Sequence, residues 1–212
     1  MGRSYYASGY ALIRDVISRE IATAFLVRMK SDLARQGLTL EKLEKSQPLL
    51  TRPAAELYGF HYVPLATFHW GLTPAIERAI NKALIPSYAY FRLYREGDVC
   101  HVHADRQACE HSLSLTLAYS DERPWPLQIA MTKTAPNSSS IDAAFKPDEK
   151  LGIAEMMPGD GVIYQGIRHR HGRTIPNPNR WSAHAFFHWV EKGGENAEHA
   201  FDGNKLPKNV AF

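Results

Sequence analysis

Two short stretches of this 212-residue chain bring together side chains able to do chemistry. In CHVHADRQACEH, residues 100–111, His103 and Asp105 stand two positions apart. On an extended chain such side chains project from the same face, so an imidazole and a carboxylate from this segment can reach one ion. A second imidazole from elsewhere completes a set of two histidines and one carboxylate, which grips a metal from one side and leaves three coordination positions open. The stretch IRHRHGRTIPNPNRWSAH, residues 167–184, offers that imidazole as His171 or as His169, which share strand parity. It also sets Arg180 and Ser182 on one face of a following strand. A guanidinium beside a hydroxyl is a receptor for a carboxylate, and such a receptor implies an acidic co-substrate.

These residues need a rigid frame, and the periodicity of the chain suggests one. YALIRDVIS (10–18) alternates like a short strand, after which Ser18 caps a run with Ile21, Phe25, Met29 and Leu33 at helical spacing, ending at Gly37. LTLEKLEKS (38–46) has room for another helical turn or two, while the aromatic-rich stretch 52–71 shows no period that assigns it a form. Thr73-Pro74 predicts the N-cap and first position of a second helix, with Ile76, Ile80, Ala83 and Leu84 on one face and Pro86 as its stop. Beyond Pro86 the period changes to two, predicting strands at 88–95, 99–105, 111–119, 127–132, 151–156, 161–165 and 181–190. The segment 134–150, rich in Ser, Pro and charge, reads as a mobile loop. The pattern is α+β but mainly β: a jelly roll or barrel with helices packed on one face. A single domain over 1–212 is expected, helical to about 86, with the β core at about 87–192 and a tail at 193–212.

Composition narrows the function classes. Hydrophobic residues at 44% and charged residues at 22% match a soluble globular protein, and a net charge of +3 without basic runs argues against a nucleic-acid binder. No stretch is long and apolar enough for a signal peptide or membrane span, so a cytoplasmic protein is expected, with Cys100 and Cys109 reduced.

With these residues in view, the chain resembles the 2-oxoglutarate- and Fe(II)-dependent oxygenases, in the branch similar to prolyl 4-hydroxylases. Tyr94-Arg95-Glu96-Gly97, nine residues before His103, resembles the Y-x-x-G segment that precedes the H-x-D motif in that branch. Arg180-Trp181-Ser182, nine residues after His171, resembles its R-x-S pair behind the distal histidine. The similarity runs from about Tyr88 to Val190 and implies a double-stranded β-helix, that is, a jelly roll. It further implies Fe(II) held by His103, Asp105 and His171, with 2-oxoglutarate as co-substrate, O2, and ascorbate as an accessory reductant. Arg180 would pair with the distal carboxylate of 2-oxoglutarate, and Tyr94 and Ser182 would hydrogen-bond it. His169 is the rival third ligand by its strand parity, but it lies eleven residues from Arg180 where the family pattern usually shows nine or ten, so the resemblance favours His171. The implied activity is a dioxygenase that hydroxylates a peptide residue or a small molecule, releasing succinate and CO2. Cys100 stands where the branch often has an aromatic residue, and RPWPLQIAM (123–131) replaces its glycine-rich strand, so a prolyl substrate is not implied.

Simpler readings stand beside these. His111, His184 and His188 read as packed strand residues, His101 as a surface histidine, and Trp70 and Trp125 as core. Cys100 and Cys109 near H-x-H would also suit zinc, a reading that leaves Arg180 and Ser182 unexplained. Alternatives are a cupin-like jelly roll that binds metal without catalysis, and a related oxygenase that desaturates, cyclises or demethylates. Substrate and oligomeric state are not encoded in any readable motif.

Overall fold

The computed structural model describes residues 2–135 and 140–204. Two antiparallel sheets face each other. The elements are α1 (Gly2–Ser8), β1 (Tyr10–Ile13), α2 (Arg19–Arg35), β2 (Glu44–Lys45), β3 (Ala54–Tyr58), α3 (Val63–Ile80), β4 (Leu84–Arg95), β5 (Cys100–His103), β6 (His111–Tyr119), β7 (Leu127–Lys133), β8 (Leu151–Ala154), β9 (Gly161–Tyr164), β10 (His169–Arg173) and β11 (Trp181–Glu191), with short 3-10 turns between some of them. Seven strands form the larger sheet in the order β1-β9-β6-β11-β4-β3-β2, and four form the smaller in the order β5-β10-β7-β8. This is the jelly roll expected from the strand pattern.

The helices cover the outer face of the larger sheet. Ser18 caps α2 by accepting the N–H of Ile21, and Ala22, Met29 and Leu33 turn inward into a core shared with Leu65, Ile76 and Ile80 of α3. Ile21, placed on that stripe by its spacing, is exposed instead. The period-two rule holds along β11: Ala183, Ala185, Phe187 and Trp189 join the outer core, where the Phe187 ring meets that of Phe68 at 5.2 Å. Ser182, His184, Phe186 and His188 alternate with them and face the smaller sheet.

Departures from the sequence reading lie before residue 86 and at β10, a strand that the period-two pattern did not predict. The helix predicted from Thr73 begins at Val63 and runs through Pro74. Thr73 does not cap it: its hydroxyl donates to the His69 carbonyl one turn earlier and accepts from the Trp189 indole N–H. Packing of Phe68 and His69 against Phe187 and Trp189 of β11 extends the helix across a proline that local propensity reads as a start. Asn81, in the left-handed conformation, ends it before Pro86, which lies within β4. Of the stretch without an assigned form, 54–58 becomes β3. The loop expected at 134–150 includes residues 136–139, and the tail at 193–212 includes 205–212; both of these parts lie outside the described residues.

Candidate active site

His103 ends β5 and His171 sits in β10, and the antiparallel register of these two strands places the histidines directly opposite each other, their rings 4.5 Å apart. Asp105 follows β5 in a segment anchored by its own N–H, which donates to the Gly166 carbonyl. Asp105 Oδ1 lies 3.6 Å from His103 Nε2 and 3.5 Å from His171 Nε2. Sequence parity brought His103 and Asp105 together; only the pairing of β5 with β10 adds His171.

The hydrogen bonds behind the histidines fix their tautomers. His103 Nδ1 lies 2.8 Å from the His101 carbonyl, and His171 Nδ1 lies 2.9 Å from the His169 carbonyl. A carbonyl only accepts, so each Nδ1 carries a proton and each ring is turned with its Nε2 towards Asp105. Burial raises the Asp105 pKa, but the neighbouring His171 and His103 outweigh it and hold the carboxyl well below its ordinary value. Its second oxygen, Oδ2, accepts from the Ser112 hydroxyl at 3.2 Å, and Ser112 is in turn 2.8 Å from His188 Nδ1. Burial drives His188 down to about 4 and His184 well below its usual value, so both inner-face histidines are neutral near pH 7.

The three side chains form a group whose ligand atoms lie within 4.8 Å of one another, the spacing a single metal ion requires. His169, the rival third ligand, is not part of that group. A register shift separates it from His171, and its Nδ1 is engaged by the Ala130 carbonyl. Cys109 falls in a second group with Asp105 and His188, while Cys100 joins none among the described residues, and both thiols are free and buried. Burial pushes the Cys109 thiol well up, so it is no ready thiolate ligand.

The three residues line one wall of a cavity of about 420 Å³ between the two sheets. Alternate residues of β4, Tyr88, Tyr90, Arg92 and Tyr94, line another wall together with Phe186 of β11. The Tyr90 ring stacks 4.7 Å from Phe186 and 5.5 Å from Tyr58, which makes the approach largely aromatic. Tyr94 belongs to this lining, as its predicted role requires, and burial keeps it a neutral phenol with its pKa pushed up to about 12.

Arg180 and Ser182 lie elsewhere, which corrects the position inferred from their spacing. Arg180 precedes the first residue of β11 and is held at the surface by Asp121, which accepts both its backbone N–H and its side chain. Its side chain is 72% exposed, and it is not among the residues lining the cavity. Ser182 does face inward but is buried, donating to Asn177 and receiving an N–H from Asn179. Sequence reasoning missed Arg173, which lines the cavity two residues beyond His171, and Arg92. The signals were present: H-x-R in β10 and Y-x-Y-x-R-x-Y in β4 carry the same parity that marked H-x-D.

No protein-family model matches the sequence, and no curated protein matches it significantly. Among solved structures, the chain resembles the non-haem alpha-ketoglutarate-dependent carbocyclase SnoK from nogalamycin biosynthesis, with a TM-score of 0.67 at 13% identity over 89% of this chain and 82% of that one. A prolyl-4-hydroxylase from Pseudomonas putida matches with a TM-score of 0.58 at 16% identity, covering 88% and 95% of the two chains. HygX from Streptomyces hygroscopicus, solved with nickel and 2-oxoglutarate bound, matches with a TM-score of 0.61 at 11% identity, covering 89% and 85%. None of the described helices is long and apolar enough to cross a membrane. Two facing antiparallel sheets, and this set of neighbours, give the chain the double-stranded β-helix fold of the 2-oxoglutarate- and Fe(II)-dependent oxygenases.

Proposed function

We propose that this protein is an Fe(II)- and 2-oxoglutarate-dependent oxygenase that hydroxylates a peptide residue or a small molecule, with release of succinate and CO2. The observation that carries the reading is the convergence of two imidazole Nε2 atoms and one carboxylate at one place in the cavity wall. Two nitrogens and one oxygen suit a borderline divalent cation and leave room on its cavity side. His103 and His171 would hold the ion through Nε2, and Asp105 through its carboxylate. When bound, Fe(II) together with 2-oxoglutarate and O2 supplies the oxidising power to break a C–H bond. The chain's own contribution is positional. Backbone carbonyls orient both imidazoles, and Ser112 holds the carboxylate against rotation. The aromatic wall of Tyr58, Tyr90 and Phe186 lowers the polarity around the reacting centre and limits the access of water.

Anaerobic titration with Fe(II) and 2-oxoglutarate tests this reading through the visible charge-transfer band of a chelated keto acid. The band should form with wild type and be lost in Asp105→Ala. Iron binding without a band, or the same band in the variant, would refute it, and a metal-binding jelly roll without oxygenase chemistry would take its place. A second outcome at the same site is favoured by the neighbours themselves, since SnoK is a carbocyclase and SnoN an epimerase. Product mass separates these outcomes: gain of one oxygen marks hydroxylation, loss of two hydrogens marks ring closure or desaturation, and a product of unchanged mass marks epimerisation.

A further inference from the structure

The charged side chains lining the cavity are Arg92, Arg106, Arg173 and Asp105, three cations against one carboxylate. A concave surface with that excess attracts anions. Arg92 is paired with Glu56, its Nε donating at 2.6 Å, and both Arg92 and Arg173 are buried. Arg106 differs from them. Its side chain is 53% exposed, so it stands where the cavity opens to solvent, directly after the candidate ligand Asp105. Its guanidinium carbon lies 4.3 Å from the centre of the Tyr88 ring. A ring face attracts and orients such a cation but brings no counter-charge.

The counter-charge comes from far along the chain. Asp202 accepts from Arg106 Nη2 at 2.7 Å. It belongs to the turn at Ala197–Gly203, in which Phe201 and Asp202 both take the left-handed conformation, with φ of 51° and 57°. Successive non-glycine residues keep that conformation only where their surroundings hold them. One tie is the Asp202 pair itself, and another is His199 Nε2, 3.0 Å from Gln107 Oε1. Both ties land on the segment that follows Asp105, so the turn is fastened beside the cavity opening. An ion pair this exposed is weak, and an incoming anion can exchange with it. Next to it runs a wall of stacked rings, Tyr58, Tyr88 and Tyr90.

We propose that Arg106 anchors the carboxylate of an aromatic acid at the cavity opening, and that Asp202 fills the same position as an internal competitor until that acid displaces it. That the acid is the molecule oxidised rests on the proposed function; the anion site and its competitor rest on the geometry of Arg106, Tyr88 and Asp202.

Calorimetric titration with phenylacetate and with its neutral counterpart phenylacetamide reads the site. The protein carries Mn(II) and excess 2-oxoglutarate under anaerobic conditions, so that carboxylate positions at the metal are filled beforehand. Wild type should prefer the acid by about tenfold, the range for a hydrogen bond to a charged group. Arg106→Gln should remove the preference, and Arg106→Lys should keep part of it. Asp202→Asn should bind the acid about twofold to fivefold tighter, the equivalent of one exposed ion pair released. Asp202→Asn combined with Arg106→Gln should bind it no better than Arg106→Gln alone. Arg180→Gln and Asp121→Asn make the same changes of charge at a surface pair outside the cavity, and should stay within about twofold of wild type. Hydrogen exchange gives a readout that a purely structural ion pair would not move: phenylacetate should speed exchange in residues 197–204 of wild type, and Asp202→Asn should show the faster exchange without it. Thermal midpoints confirm that each variant is folded; should Arg106→Gln fail to fold, Arg106→Lys and Asp202→Asn decide the matter.

Equal binding of acid and amide in wild type, a preference that survives in a folded Arg106→Gln, or an Asp202→Asn protein that binds the acid no tighter each overturns the assignment. So does exchange in residues 197–204 that phenylacetate leaves unchanged. The two readings fail separately. An acid preference that depends on Arg106, without a keto-acid band on iron, removes the oxygenase and keeps the anion site. A normal band without any acid preference removes the anion site and keeps the oxygenase.

Discussion

Gly166 tests how tightly the candidate metal site is framed. A Cβ at this position would lie 2.2 Å from Asp105 Oδ2, 2.8 Å from the Cys109 carbonyl oxygen and 2.9 Å from Ser112 Oγ. Contact distance for a carbon is about 3.5 Å, so the Asp105 oxygen would have to retreat by about 1 Å. It cannot do so by moving the whole segment, because the Asp105 N–H is tied to the Gly166 carbonyl and the Cys109 carbonyl blocks the other side. The side chain must therefore rotate, breaking its Ser112 hydrogen bond and turning Oδ1 away from the two histidines. Ligand distances in a metal site tolerate about 0.2 Å. Gly166→Ala should thus weaken Co(II) or Mn(II) binding by about tenfold to a hundredfold, the range seen when a ligand's support is lost. That is about 1.4–2.8 kcal/mol. Overpacking adds about 1–3 kcal/mol of destabilisation in the metal-free protein. Competition against a chromophoric chelator measures the first effect and thermal unfolding without metal the second. Gly71→Ala is the control: it lies inside α3 with nothing within 4 Å of the added carbon, so it should bind metal normally and gain about 0.5–1 kcal/mol. A Gly166→Ala protein that binds Co(II) within twofold of wild type, with the same visible spectrum, would refute the framing.

Ser112→Ala removes the shared partner of Asp105 and His188 and should cost about 1–3 kcal/mol in unfolding free energy, together with a loss of metal affinity; chemical denaturation and chelator competition read the two effects. Thr73→Val leaves the buried Trp189 indole N–H without an acceptor and should destabilise by about 1–2 kcal/mol while leaving metal binding intact, which thermal unfolding and Co(II) titration check together. Asp160 sets the acid limit at another point of the fold: burial raises its pKa, but the Met157 N–H, Arg14 and the Asp15 N–H outweigh it and lower the value. Its stabilising contribution is complete above the unfolded-state pKa of about 3.9 and is lost as pH falls through the lower folded value. Asp160→Asn should therefore lower the thermal midpoint at pH 7 and flatten its decline below about pH 4. An unchanged decline in the variant would place the acid sensitivity in other carboxylates.

Relations confined to one strand or helix were legible without tertiary structure. The two-residue spacing of His103 and Asp105, the alternation of β11 and the Ser18 cap on α2 are properties of local backbone geometry, and the structure keeps them. The partners of those faces were not legible, because strand register is set by how whole sheets pack. The pairing of β5 with β10 put His171, rather than His169, opposite His103, with a register shift between the two histidines. Spacing alone pointed to Arg180, yet the backbone before β11 turns that residue to solvent against Asp121, while the same parity rule applied to β10 leads to Arg173 in the cavity. The start of α3 likewise followed contacts with β11 rather than the Thr-Pro signal at its middle. Local pattern determined which side chains share a face. Only the closure of the two sheets decided which faces meet, since that depends on burying apolar surface contributed by residues distant in the chain.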